Sequence, residues 1–477
     1  MENPSDSVVS DIMERAVTAA AVFSQLDQAQ TDRVVRAAYE AGFNARVKLA
    51  KMAHEETGIG KWEDKVLKNV IATLLVHEDI KHEKTVGIVS EDRERGITEF
   101  ATPLGPICAV IPMTNPTSTV LFKILIALKT RNPIIIRPHR SAARSSIEAA
   151  RICYEAALKE DAPEDCIQWV QSLTREQTHE LMGHPKLALV LATGGESLVR
   201  AAYSSGTPAF GVGAGNVPVF IEKSADPAFA VDQILLSKTF DNGTVCASEQ
   251  AIVVEDALAE AVARELSARQ AHFLTPEECR QVEQAAFDRE KGIMNANIVG
   301  NSALQIAEKA GISVPEGTRL LVARLEDVGE KYPLSSEILA PILAFYVARS
   351  FEQALNLCID LNFHGGMGHT ASIFSNDEDK ILKFSSFMKA GRIVVNMPSS
   401  QGGVGGVFNK LHPSFTLGCG TSGKNITTDN ITARNLLNIQ RITRRRTNER
   451  FCRFDPKMLL DDAWDATSVE AMYNRNY

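Results

Sequence analysis

The sequence predicts an α/β protein whose first half is a doubly wound parallel sheet. Three observations predict it. Short apolar runs alternate with stretches of helical apolar spacing, several of the runs end in glycine-rich turns, and neither signal occurs in long blocks. From residue 4 to about 57 the apolar positions recur at helical intervals, as in DRVVRAAYEAGFNARVKLAKMAHEE, which reads as amphipathic surface helices. GPICAVIP (105–112) is a strand, STVLFKILIALKTRN a helix and PIIIRP (133–138) a buried strand, together a βαβ unit. LALVLATGG (187–195) repeats the strand-then-glycine texture, with ESLVRAAYSSG as the helix after it. PAFGVGAGNVPVFIEK adds a further glycine-rich turn between apolar runs. Beyond about residue 220, QAIVVE, RLLVAR, PILAFYVA, ASIFS and RIVVNM are interleaved with helical stretches, enough for a second α/β domain.

Composition narrows the function. A chain of 477 residues that is 44% hydrophobic and 23% charged has room for two or three domains. Its formal charge of −8 gives no global basic field, which argues against nucleic acid as principal partner. There is no run of about 18 apolar residues and no signal-peptide pattern, so no membrane association and a cytoplasmic location are expected. The eight cysteines, at 108, 153, 166, 246, 279, 358, 419 and 452, are scattered without a C-x-x-C pair. That disfavours disulfides and any metal centre, and leaves each thiol available as a nucleophile.

Five strings carry candidate chemistry. GCGTSGKN (418–425) has the spacing of a phosphate-binding loop, but Asn425 stands where a magnesium-binding hydroxyl is needed, leaving a turn-rich loop whose N–H groups could hold an anion. The histidines of HEDIKH (77–82) are five apart and leave one helix face, against metal binding. GVGAGN (211–216) is not G-x-G-x-x-G; it says that backbone approaches something closely. The basic RITRRRTNERFCR (441–453) reads as a solvated helix face or an oligomer contact. In FDNGTVCASEQ (240–250), a turn-prone DNG precedes Cys246 and small residues follow it. Core packing and nucleophilic catalysis both remain open for this thiol.

Taken together and in order, IPMTNPTSTVLFKILIALKTRN, LATGG, AAYSSGTPAFGVGAGNVP, SKTFDNGTVCASEQ, SSEILAPIL, GMGHTASI and TLGCGTSGKN resemble the CoA-acylating aldehyde dehydrogenases. The nearest likeness is the aldehyde dehydrogenase half of the bifunctional aldehyde-alcohol dehydrogenases, over about residues 61–443. The resemblance implies an aldehyde dehydrogenase-like fold: a Rossmann-type cofactor domain (1–84 and 104–216), an α/β catalytic domain (217–425), oligomerisation elements (85–103 and 426–450) and a tail (451–477). A hairpin near VSEDRERGITEFATP would bridge to a partner subunit, giving a homodimer or larger homo-oligomer.

The resemblance also implies roles. Cys246 would be the catalytic thiol, Asn115 and the Cys246 backbone N–H the oxyanion hole, and Glu337 the ligand of the nicotinamide ribose. Pro112, Thr114, Arg137, His139, Thr193, Gly194, Gly195 and Gly213 would complete the cofactor site. His369 would assist the CoA thiol; Cys419 and Gly420 would line a substrate or CoA channel, with Cys419 an exposed rival nucleophile. Thiolate attack on an aldehyde and loss of hydride would leave a thioester on Cys246.

What receives the acyl group separates two activities. Hydrolytic relatives carry a water-activating glutamate in a segment like E-L-G-G-K-x-P; aligning VGAGNVP on it puts Val212 there, which cannot be a base. Coenzyme A is then the expected acceptor, unless Glu196 or Glu249 replaces the missing carboxylate. A hydrolytic dehydrogenase and an inactive assembly subunit are the alternatives. Arg137 and Arg140, beside His139, lean toward tolerance of NADP as well as NAD. The expected substrate is a short aldehyde, and Arg392, Lys410 or Lys424 could meet an anionic one.

Overall fold

The computed structural model describes residues 4–288 and 292–475, so the ends of the expected cofactor domain (1–3) and tail (476–477) and residues 289–291 lie outside it. Two compact units emerge. One runs to Glu83 and from Pro103 to Leu437, the other comprises Lys84–Thr102 and the residues from Asn438 onward.

In the first unit, five parallel strands run edge to edge in the order Ile167–Trp169, Ile134–Arg137, Ile107–Val110, Leu189–Thr193 and Ala209–Val212. Side chains alternate between faces along a strand, and both faces here are buried. Ile107 and Ala109 pack with Ile134, Ile136 and the helices Gln28–Asn44, Pro116–Lys129 and Ala143–Leu158. Cys108 and Val110 turn to the other side, against Pro4–Phe23, Arg175–Met182 and Glu196–Tyr203. The apolar runs of the sequence lack polar alternation because no face of this sheet meets water. The order of connection reverses between Ile107–Val110 and Leu189–Thr193, and such a reversal opens a crevice outside the carboxyl ends of the two strands.

Seven further parallel strands form the second sheet, in the order Ala271–Phe273, Leu320–Arg324, Ile342–Ala348, Glu249–Glu255, Val217–Ile221, Gly368–Phe374 and Ala390–Val395. Residues 213–216 carry the chain from the carboxyl end of Ala209–Val212 to the amino end of Val217–Ile221. Glycine is needed at 215 in that link, where a Cβ would stand 2.2 Å from a backbone oxygen.

In the second unit, Gly87–Asp92 pairs antiparallel with Ile97–Pro103, and Leu437–Thr443 completes a three-stranded sheet. The basic run is used locally. Arg444 donates to Thr98 Oγ1 at 2.8 Å, Arg446 reaches the Arg93 carbonyl at 3.1 Å, and Arg441 pairs with Glu99 at 3.3 Å. One expected boundary shifts: 426–437, assigned from the sequence to the oligomerisation elements, lies in the first unit. Ile431, Ala433 and Leu436 are buried in the core beneath the five-stranded sheet, which draws that stretch in. Among the described residues no helix is long and apolar enough to cross a membrane.

Candidate active site

The crevice predicted by the strand reversal is a cavity of about 280 Å³. Its walls come from both strand ends: Pro112, Thr114 and Asn115 from one, Thr193, Gly194 and Gly195 from the other. Val212, Gly213, His139, Glu337 and Cys246 also face it. Residues up to 225 positions apart (337 − 112 = 225) thus converge on one cavity. Arg137 and Arg140 are not among the lining residues; the Arg137 guanidinium lies 3.5 Å from Thr178 Oγ1.

Cys246 stands just after a strained turn. Asp241, Asn242 and Gly243 take φ values of 48°, 53° and 74°, all left-handed, and two of the three are not glycine. Such strain survives only where the surroundings over-determine it. The Asp241 carboxylate does so: it accepts from the Lys61 backbone N–H (2.7 Å), Lys65 Nζ (3.0 Å), Lys68 Nζ and Thr244 Oγ1 (2.8 Å). The Asp241 N–H donates to Asp64 Oδ2 at 2.7 Å, and Asn242 Nδ2 to the Gly300 carbonyl at 2.9 Å. Lys65, Lys68 and Asp241 were not singled out in the sequence. Nothing in DNG marks a buried ion cluster, whose lysines lie on the distant helix Trp62–Val70.

Behind the thiol sits His369, fully buried, with Nε2 3.2 Å from Cys246 Sγ and Nδ1 2.9 Å from Thr370 Oγ1. Burial, reinforced by the Arg392 charge, lowers the imidazole to about 3, so it rests neutral at neutral pH. Burial raises the Cys246 thiol to about 12, with Glu337 and Cys419 acting in the same direction and Arg392 against them. Glu337 accepts from the Gly215 N–H at 2.7 Å, and burial lifts its carboxyl to about 7.

The reading of GVGAGN as a close approach now has its object. A Cβ on Gly215 would stand 2.2 Å from the Cys246 carbonyl oxygen and 3.0 Å from His369 Cγ. By contrast, Gly195 and Gly213 have open space where a side chain would be, so backbone at both is accessible from the cavity.

Other expectations need correction. Cys419, expected exposed, is buried in an apolar cluster with Val212, Val245 and Leu417, and its thiol is raised to about 11 by burial. It faces a second cavity of about 540 Å³ that shares Gly213 and Ala214 with the first; Gly420 does not line either. Arg392 is no open cation for an anionic substrate, because its guanidinium donates to the carbonyls of His369 (3.0 Å), Gly418 and Thr428 (3.1 Å). Lys424 lines the second cavity, and Lys410 a separate depression. In the 418–425 loop the N–H groups of Gly418, Gly420, Gly423, Lys424 and Asn425 donate to carbonyls of residues 419–429, so these five are not offered to an anion. Neither substitute carboxylate is in place. Glu196 is exposed, pairs with Arg200 at 2.8 Å and lines the second cavity but not the one that holds Cys246, while Glu249 is fully buried, accepts from the Ser399 N–H, and lines neither cavity. His77 stacks on Tyr39 with ring centroids 4.2 Å apart.

Residues 2–408 match the family model described as "Aldehyde dehydrogenase family". The chain belongs to the aldehyde dehydrogenase family. Within this family it is 43% identical to aldehyde-alcohol dehydrogenase 2 of Entamoeba histolytica, over 91% of this chain and 51% of that one. The chain therefore spans about half the length of the aldehyde-alcohol dehydrogenases it matches. An acetylating aldehyde dehydrogenase from Geobacillus thermoglucosidasius superposes with a TM-score of 0.90 at 46% identity, covering 93% of this chain and 98% of that chain. A Rhodopseudomonas palustris propionaldehyde dehydrogenase, solved with bound CoA and an acylated cysteine, gives a TM-score of 0.81 at 26% identity, covering 91% and 97%.

Proposed function

We propose that this member of the family is a CoA-acylating aldehyde dehydrogenase, converting a short aldehyde, CoA and NAD(P)+ reversibly into acyl-CoA and NAD(P)H through a thioester on Cys246. The observation that carries it is Val212, buried on the cavity wall that Cys246 shares, where a hydrolytic enzyme needs a base. Loss of a general base commonly costs on the order of 10² to 10⁴ in rate, enough to leave a thioester for a thiol acceptor. The CoA and acylated cysteine of the Rhodopseudomonas relative support the same reading.

His369 Nε2, 3.2 Å away, takes the Cys246 proton as Sγ attacks the aldehyde carbon. Asn115 Nδ2 and the Cys246 N–H donate to the oxygen that becomes negative. Hydride acceptance is the chemistry a bound nicotinamide supplies. Gly194 and Gly195, ahead of the helix Glu196–Tyr203, would hold its diphosphate, and Glu337 its ribose. In the second half, once the Cys246 proton has passed to solvent, the imidazole accepts the CoA proton, the CoA sulfur attacks the thioester carbon, and Cys246 leaves as thiolate and recovers a proton from the imidazolium. We assign Arg137 and Arg140 to tolerance of a 2′-phosphate beside His139, so that Arg137→Ala should raise the KM for NADP and leave that for NAD unchanged.

Omitting CoA tests the activity. Steady NAD(P)H formation should cease and acyl-CoA should be the product when CoA is restored; undiminished turnover giving free acid would overturn the proposal.

A further inference from the structure

An asparagine side chain has two ends of nearly the same shape and opposite chemistry. Nδ2 can donate to a developing oxyanion, whereas Oδ1 would repel it. Which end of Asn115 faces the reaction therefore depends on what holds the other. Lys68 Nζ donates to Asn115 Oδ1 at 2.6 Å. An ammonium has three N–H groups and no lone pair, so the flipped amide would set donor against donor at a buried site. Asn115 Nδ2 is left to donate to Thr114 Oγ1 at 3.1 Å with one N–H, and its second N–H remains for a substrate oxygen.

The remaining two N–H groups of Lys68 are equally committed. They go to Asp241 Oδ2 and to Thr244 Oγ1, the latter at 2.9 Å. Asp241 belongs to the left-handed turn five residues ahead of Cys246 (246 − 241 = 5), and Thr244 lies two ahead (246 − 244 = 2). Asn115 is the residue that begins the helix Pro116–Lys129 at the end of a strand of the other sheet. One ammonium thus ties the loop bearing the nucleophile to the residue assigned as oxyanion donor, and does so from outside the cavity lining.

We propose that Lys68 is a positioning residue that fixes the Asn115 amide with Nδ2 toward the reacting oxygen and in register with Cys246. The inference rests on the oxyanion role proposed above and adds a residue that touches neither substrate nor cofactor. Its charge also polarises the amide it holds, since the ammonium contacts the carbonyl end and strengthens the donor at the other.

A double-mutant cycle tests it. Lys68→Met keeps the chain length and removes the donor, while Asp241 retains Lys65, Thr244 and the Lys61 N–H. The expected result is a fall of about 100-fold in kcat for NAD(P)H formation, as for loss of an oxyanion donor. Iodoacetamide alkylation of Cys246 should stay within about twofold, because displacement at that reagent builds no oxyanion of this kind. In an Asn115→Ala background the same lysine substitution should cost less than about twofold, because its effect passes through Asn115. Losses that multiply, or an alkylation rate that falls in parallel, would overturn the proposal and reduce Lys68 to a prop for the turn. If Lys68→Met does not fold, Lys68→Arg decides by the same cycle: it keeps Asp241 paired but its planar fork cannot meet three partners at once. Loss of CoA dependence would sink the acylating reading and leave the cycle readable; a multiplicative cycle with CoA dependence intact would sink only the lysine's role.

Discussion

At the scale of the residue, Cys246 and His369 are each held in the neutral form by the same cause. Removing a thiolate and an imidazolium from water is costly for both, so burial raises one to about 12 and lowers the other to about 3. Without substrate the resting pair is thiol and imidazole. Below its pKa the thiolate fraction grows tenfold per pH unit, and alkylation follows the thiolate. The alkylation rate of Cys246, followed by mass spectrometry of its peptide, should therefore rise about tenfold per unit from pH 6 to 9. A plateau within that range would show a pre-formed thiolate and overturn the assignment. This residue was legible in the sequence as one of two alternatives, packed core or nucleophile, and it has features of both.

At the scale of the element, the 213–216 link and the strand Glu249–Glu255 show how tightly the backbone is committed around the thiol. Gly215→Ala would drive a methyl group into the Cys246 carbonyl, which lies on backbone and cannot swing aside. A displacement of about 1 Å at a reacting group can cost on the order of 100-fold, so kcat/KM should fall by about that factor. Gly213→Ala, with open space around its Cβ, should leave the thermal midpoint unchanged. Glu249 begins its strand fully buried, with its carboxyl raised by burial from 4.5 to about 7. The folded state then binds more protons than the unfolded one between those values, so stability falls as pH rises through that window. The effect is at most about 3 kcal/mol. Glu249→Gln keeps the acceptor for the Ser399 N–H and removes the titration. Its thermal midpoint should match the parent near pH 4.5 and exceed it by pH 8; equal midpoints at both would refute the burial argument.

At the scale of the whole molecule, the three-stranded unit stands apart in composition. None of the apolar clusters among the described residues includes a residue of 84–102 or 438–475, and Ile88 and Ile442 are exposed. A small sheet without a core of its own needs further packing to be stable. We expect a second copy of the chain to supply it. Light scattering should give at least a dimer, and Ile88→Glu with Ile442→Glu should shift the mass toward the monomer; an unchanged mass would exclude these residues from the interface. What the sequence by itself determined is local: the parallel strands, the glycine turns at their ends, the cysteine after DNG, and the valine at 212 that points to a thiol acceptor. Only the tertiary structure decided that Cys419 is buried, that Arg392 and five of the 418–425 amides are already bonded, and that Lys68 joins Asp241 to Asn115. The physical reason is separation along the chain. Lys68 and Asp241 are 173 residues apart, and Cys246 and His369 123. Apolar periodicity records which face of an element is covered, whereas the partner of a buried charge depends on strand order and on where two sheets meet.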